Sequence, residues 1–109
     1  MTDTIKVLSQ SAPAATSLTD LYTVPASTQT VVSSVIVCNR GLTNTTFRIS
    51  IAVAGAADSN QQYLYYDVPI SKNNTFVATI GLSLAATDKV RVYAGNANLS
   101  FNLAGVEIT

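Results

Sequence analysis

The stretch Thr45-Thr46-Phe47-Arg48-Ile49-Ser50-Ile51-Ala52-Val53 decides the fold class. In an extended chain Phe47, Ile49, Ile51 and Val53 fall on one side, and Thr46, Arg48, Ser50 and Ala52 on the other. A period of two is the mark of a strand with one face in a core and one face wet. Thr75 to Leu84 repeats it, with Phe76, Ala78, Ile80, Leu82 and Leu84 inward, and so does Lys89 to Ala94, with Val90, Val92 and Ala94 inward.

Working outward, Gln62 to Val68 sets Leu64, Tyr66 and Val68 against Tyr63, Tyr65 and Asp67. Thr30 to Cys38 is apolar at both parities, broken only by Ser33-Ser34, and reads as a central strand covered on both faces, by the sheet on one and a neighbouring subunit on the other. In the last run, Leu99, Phe101 and Leu103 are odd-numbered, while Val106 and Ile108 are even. Gly105 at the change of parity predicts a bulge that reverses the facing there. Ile5–Ser9 and Leu18–Val24 complete eight candidate strands. Turn-forming clusters separate them, among them Pro25-Ala26-Ser27, Asn39-Arg40-Gly41, Gly55 to Asn60 and Gly95 to Asn98. Val, Ile and Thr supply 33 of 109 residues, which suits pleated surfaces, and no stretch has helical spacing. The expectation is one all-β domain over residues 1–109. It is a two-sheet antiparallel β-sandwich of about eight strands, jelly-roll-like or immunoglobulin-like, with residues 1–4 as a flexible arm.

Composition then removes function classes. The chain has no histidine, so no imidazole can act as base, metal ligand or pH switch. Its one cysteine, Cys38, excludes an intrachain disulfide and a multi-cysteine metal site, and reads as a small buried hydrophobe. Asp20, Asp58, Asp67 and Asp88 lack the spacing of a calcium loop, and Asp58-Ser59-Asn60 reads as a turn. Glu107 is the only glutamate, and nothing local pairs carboxylates as a glycosidase would. Neither a phosphate loop nor a cofactor motif occurs. The chain is read as non-enzymatic, without cofactor or metal.

Six basic and six acidic residues cancel, and the basic ones are scattered, so no nucleic-acid footprint is expected. No apolar run approaches the ~20 residues that cross a bilayer, and Met1-Thr2-Asp3-Thr4 does not open like a secretory signal. The three Asn-x-Ser/Thr triplets at 44, 73 and 98 fit chance in so Asn- and Thr-rich a chain. Charged residues make 11% of the sequence, against about 25% in a typical soluble domain. Thr, Ser, Asn and Gln fill the difference with 37 residues. Such a surface is wettable but weakly self-repelling, as suits a part that touches neighbours. Tyr63 and Tyr65, read onto one strand face, form the most site-like feature: cross-strand packing, a subunit contact or a glycan platform.

Several strings carry a resemblance. They are Leu21-Tyr22-Thr23-Val24-Pro25-Ala26, Val31 to Gly41 (VVSSVIVCNRG), Tyr66-Asp67-Val68-Pro69-Ile70, Leu82 to Asp88 (LSLAATD) and Asn98-Leu99-Ser100-Phe101-Asn102. In style and order, over nearly the whole chain, they resemble small β-sandwich virion proteins of tailed bacteriophages, including cyanophages and aquatic phages. The resemblance implies a virion location and a structural role, either as capsid decoration or cement protein or as a tail, neck, baseplate or fibre component. It implies as partners other copies of the chain, a trimer among the arrangements, and the major capsid protein or other virion proteins. It transfers no functional residues.

Overall fold

The structure, a computed structural model, describes residues 2–109. Among them eight strands follow in order: β1 (Asp3–Ser11), β2 (Thr19–Thr23), β3 (Gln29–Asn39), β4 (Thr45–Ala52), β5 (Tyr63–Ile70), β6 (Thr75–Leu84), β7 (Lys89–Ala94) and β8 (Leu99–Ile108). One antiparallel sheet runs β1-β8-β3-β6, and a second runs β2-β7-β4-β5. The pairs β1·β8, β2·β7, β3·β6 and β4·β5 are nested around the β4–β5 connection, and β3·β8 and β4·β7 join them into sheets. The chain is therefore one long antiparallel ribbon rolled into a two-sheet sandwich. Of the two orders the sequence left open, this is the jelly roll.

The alternating residues meet between the sheets. Phe47, Ile49, Val90, Val92 and Ala94 from the second sheet face Val32, Val35, Val37, Leu99, Phe101 and Leu103 from the first, all fully buried. Phe47 sits at the centre, with ring centroids 5.1 Å from Phe76 and 6.4 Å from Phe101. At one end Asn39, also buried, donates from Nδ2 to Thr43 O at 2.9 Å and accepts the Gly41 amide at 3.0 Å. An inward polar side chain thus ties down the β3–β4 turn without leaving a group unpaired.

Bulges decide which residues reach that core. In β3, Thr30 and Val32 point inward, and so do Val35, Val37 and Asn39; the parity changes at Ser33-Ser34. Against β8, Val32 pairs with Gly105 and Ser34 with Ala104, so Ser33 is an extra residue. The two-sided apolar look of β3 comes from this change of parity, and within the chain its outer face is not covered: outward Val31 is 37% exposed. Against expectation, β8 does not reverse at Gly105, for odd positions stay inward as far as Glu107, which reaches Tyr22 across the sandwich. Gly105 is required because the bulged β3 presses on it. A Cβ at 105 would lie 2.1 Å from the Val31 carbonyl oxygen.

Two further expectations change. Val53 leaves β4 to start a 3-10 turn and is exposed, while outward Ser50 and Ala52 are buried beneath the segment 53–62. Arg91, also on that outer face, holds the segment by donating to Ala56 O at 2.8 Å. The flexible arm is absent over residues 2–4: Thr2 and Thr109 exchange backbone hydrogen bonds of 2.8 and 2.9 Å, and Asp3 and Thr4 pair with Ile108 and Glu107. Residue 1 lies outside the described residues.

The glycines supply a contrast. Gly105→Ala forces backbone against backbone and is expected to cost at least about 2 kcal/mol in urea unfolding. Gly81→Ala adds a methyl that meets nothing within 4 Å and is expected to be neutral or slightly stabilising. Equal effects at the two positions would refute the close approach.

Candidate functional site

Two bulges in β5 rearrange the tyrosines. Ile49 pairs with Tyr65, but Ser50 pairs with Tyr63 and Phe47 with Val68, so β5 carries an extra residue at each step. Asp67, at φ 51°, marks the second bulge. Tyr65 consequently turns inward, its ring 5.4 Å from Phe76 and 6.4 Å from Phe47. Tyr63 stays on the outer face, but its companion there is Tyr66, edge-to-face at 5.0 Å. The two residues singled out from the sequence, Tyr63 and Tyr65, therefore do not share a face, because strict alternation fails across an irregular edge strand.

The outer face of the second sheet is built around Arg48. Its guanidinium lies 4.2 Å from the Tyr66 ring centre and 4.4 Å from that of Tyr93. Its edge donates to both Asp67 carboxylate oxygens, at 2.6 and 3.3 Å. Asp67 raises the Arg48 pKa further, and burial, then the Asp58 carboxylate at 3.1 Å, raises that of the Tyr63 hydroxyl. Nearby, Asp20 joins Lys89 at 2.8 Å and Arg91 at 3.0 Å; the Lys89 hydrogen bond is the chief reason its carboxyl pKa is lowered. These groups satisfy one another. They rivet β2, β4, β5 and β7 together, and leave the Tyr66 ring, 58% exposed, as the accessible part.

Between the sheets, at the end where the chain termini meet, lies a polar link that sequence reading missed. The Tyr22 hydroxyl donates to Glu107 Oε2 at 2.5 Å and lies 2.9 Å from Thr30 Oγ1, while Glu107 Oε1 accepts from Lys6 Nζ at 2.8 Å. The Lys6 ammonium, then the Tyr22 hydroxyl, hold the Glu107 carboxyl below its ordinary value. Burial, then the Glu107 carboxylate, pushes the Tyr22 hydroxyl up to about 12. Buried Asp88 is likewise consumed internally, accepting the Ala54 amide at 2.8 Å and the Ala85 amide at 2.9 Å. Among the described residues no three His, Cys, Asp or Glu side chains converge as a metal site. No helix there is long and apolar enough to cross a membrane.

The outer face of the first sheet differs from all this. The β3 register sets Ile5, Val106, Val31 and Ser83 in one row across the four strands, and Val7, Ala104, Ser34 and Thr79 in the next. Another holds Gln10, Asn102, Ile36 and Val77. Ile5 is 84% exposed, Val7 58% and Val77 59%. Cys38, expected in the core, lies half-buried on this face opposite Thr75 and Ser100, because the Ser33 bulge turned it outward. Asp3, at a corner, is the one charged residue of this face among the described residues. The other charges of the first sheet, Lys6 and Glu107, point to the interior link. The candidate site is thus a nearly uncharged plate of aliphatic and hydroxyl or amide side chains.

No protein-family model matches the chain, and a search of the curated proteins finds no match.

The polar link predicts a pH profile. A depressed Glu107 pKa contributes stability that is present above the ordinary carboxylate range and lost as pH falls through the folded value. A raised Tyr22 pKa contributes stability that is lost as pH rises from 10 to about 12. With no histidine, thermal melts are expected to be flat from about pH 6 to 9 and to fall on both sides. Tyr22→Phe strands the Glu107 and Thr30 oxygens and should cost about 1–3 kcal/mol and shrink the alkaline limb to the part that Tyr63 contributes. An unchanged alkaline limb in that variant would rule the link out as its cause.

Proposed function

We propose that this protein is a non-enzymatic structural subunit of a tailed-bacteriophage virion, acting as a capsid decoration or cement protein. The observation that carries the structural part is the nearly uncharged outer face of the first sheet. Burying it against a neighbour removes apolar area from water and desolvates almost no ions. The particle is argued from the resemblance of sequence style. A jelly roll serves viral shells, lectins and cupins alike, so the fold does not choose among them.

Mechanically, a cement subunit needs only adhesion. Many modest contacts repeated over a symmetric shell add up to firm attachment. Five of the six carboxylates are already engaged: Glu107 by Lys6 and Tyr22, Asp88 by two backbone amides, Asp67 and Asp20 by arginines, and Asp58 by the Tyr63 hydroxyl. Placement in the tail, neck or baseplate uses the same adhesion with a different partner.

A second reading, a glycan-binding module at a fibre tip, is favoured by the exposed Tyr66 ring beside Tyr63. A glycan array comparing wild type with Tyr66→Ala tests it; the absence of binding to any glycan removes it.

Quantitative mass spectrometry of purified particles decides the main proposal. A copy number on the order of hundreds fits a shell lattice, and roughly a dozen or fewer fits the tail. Absence from the particles sinks the proposal.

A further inference from the structure

We infer that the outer face of the first sheet binds the same face of a second copy of this chain, as an isologous two-fold pair. This rests on the assembly reading above in taking that face to be a contact, and adds its occupant and geometry.

Charge comes first. A partner recognised through ions would find almost none here, since Asp3 stands at the corner and the remaining charges of these strands are turned inward. A second copy presents the same neutral surface. Two such faces can close without stranding a charge, the arrangement that costs least in desolvation.

Shape comes second. Ile5 projects from β1, and a groove of about 310 Å³ lies two to three strands away, lined in part by Gln29, Val31, Ser83 and Ile108. Ile5, Val106 and Val31 occupy one row, with Val106 on the strand between. A two-fold axis lying in the interface along β8 maps β1 of one copy onto β3 of the other. Ile5 of each then sits over Val31 and the groove of its mate, and Val106 meets Val106. That reciprocity is what an isologous contact requires.

Area comes third and sets the strength: about that axis β1, β8 and β3 overlap while β6 overhangs, so three strands of about ten residues cover ~14 by ~33 Å, roughly 470 Å² per copy and roughly 950 Å² per pair, the size of a weak, reversible contact.

Sedimentation of the isolated protein over a micromolar-to-millimolar series tests the pairing. Wild type is expected to dimerise within that series. Ile5→Lys and Val31→Asp should each weaken dimerisation about tenfold or more, with unchanged far-ultraviolet circular dichroism. Val53→Lys, on the connecting loop, should not. Mixing the Ile5→Lys and Val31→Asp proteins should restore dimers, because the geometry sets position 5 of one copy over position 31 of the other.

A wild-type monomer throughout the series overturns the pairing, as does a dimer indifferent to both substitutions. Failure of the mixture to recover overturns the stated geometry. A monomer found at high copy number in particles leaves the virion proposal standing and removes this one; a dimer absent from particles does the reverse.

Discussion

The Val31 carbonyl occupies the space a side chain at position 105 would need, and most of the first sheet follows from that one contact. The extra residue at Ser33 brings β3 against β8 and exchanges the parity of its two halves. Val32 and Val35 can then both face the core, and Ile36 and Cys38 are turned to the outside. Without the glycine, the bulge could not close; without the bulge, half of β3 would present the wrong side. The apolar character of the outer face is therefore a product of how the core was satisfied.

The two exteriors divide the work. The second sheet holds Arg48, Arg91, its aspartates, and Tyr63, Tyr66 and Tyr93, locked together as stacked and hydrogen-bonded groups. The first holds aliphatic, hydroxyl and amide groups with one corner charge. Exposed ion pairs contribute little to stability, so their placement says more about which surface stays wet than about what holds the fold. The low charge content seen in composition is not spread evenly. It is concentrated as a deficit on one side.

The sequence was legible wherever alternation was unbroken. Thr75–Leu84, Lys89–Ala94 and Leu99–Ile108 stand with the bounds read from it, and the inward residues of β6 and β7 are as expected. It misled at bulges, because one inserted residue exchanges inside for outside and leaves composition untouched. That is why Tyr65 proved to be a core residue, Cys38 a surface one, and Gly105 a site of contact without reversal. The Arg48 stack could have been anticipated in part, since Arg48 and Tyr93 lie at outward positions; the register that sets them side by side could not. The Tyr22–Glu107 link joins residues 85 apart in the chain, beyond any local pattern.

The nested pairing has a temporal side. β1 finds its neighbour only in β8, the eighth strand in chain order, while β4 and β5 can meet as soon as both exist. The pairings that close the shortest loops lie in the middle of the chain, and that of the Asp3–Ser11 strand closes the longest. Closure over so many intervening residues is slow, on the order of milliseconds to seconds for folds dominated by distant pairings. During synthesis the half-built first sheet stays open at β3 until β8 leaves the ribosome.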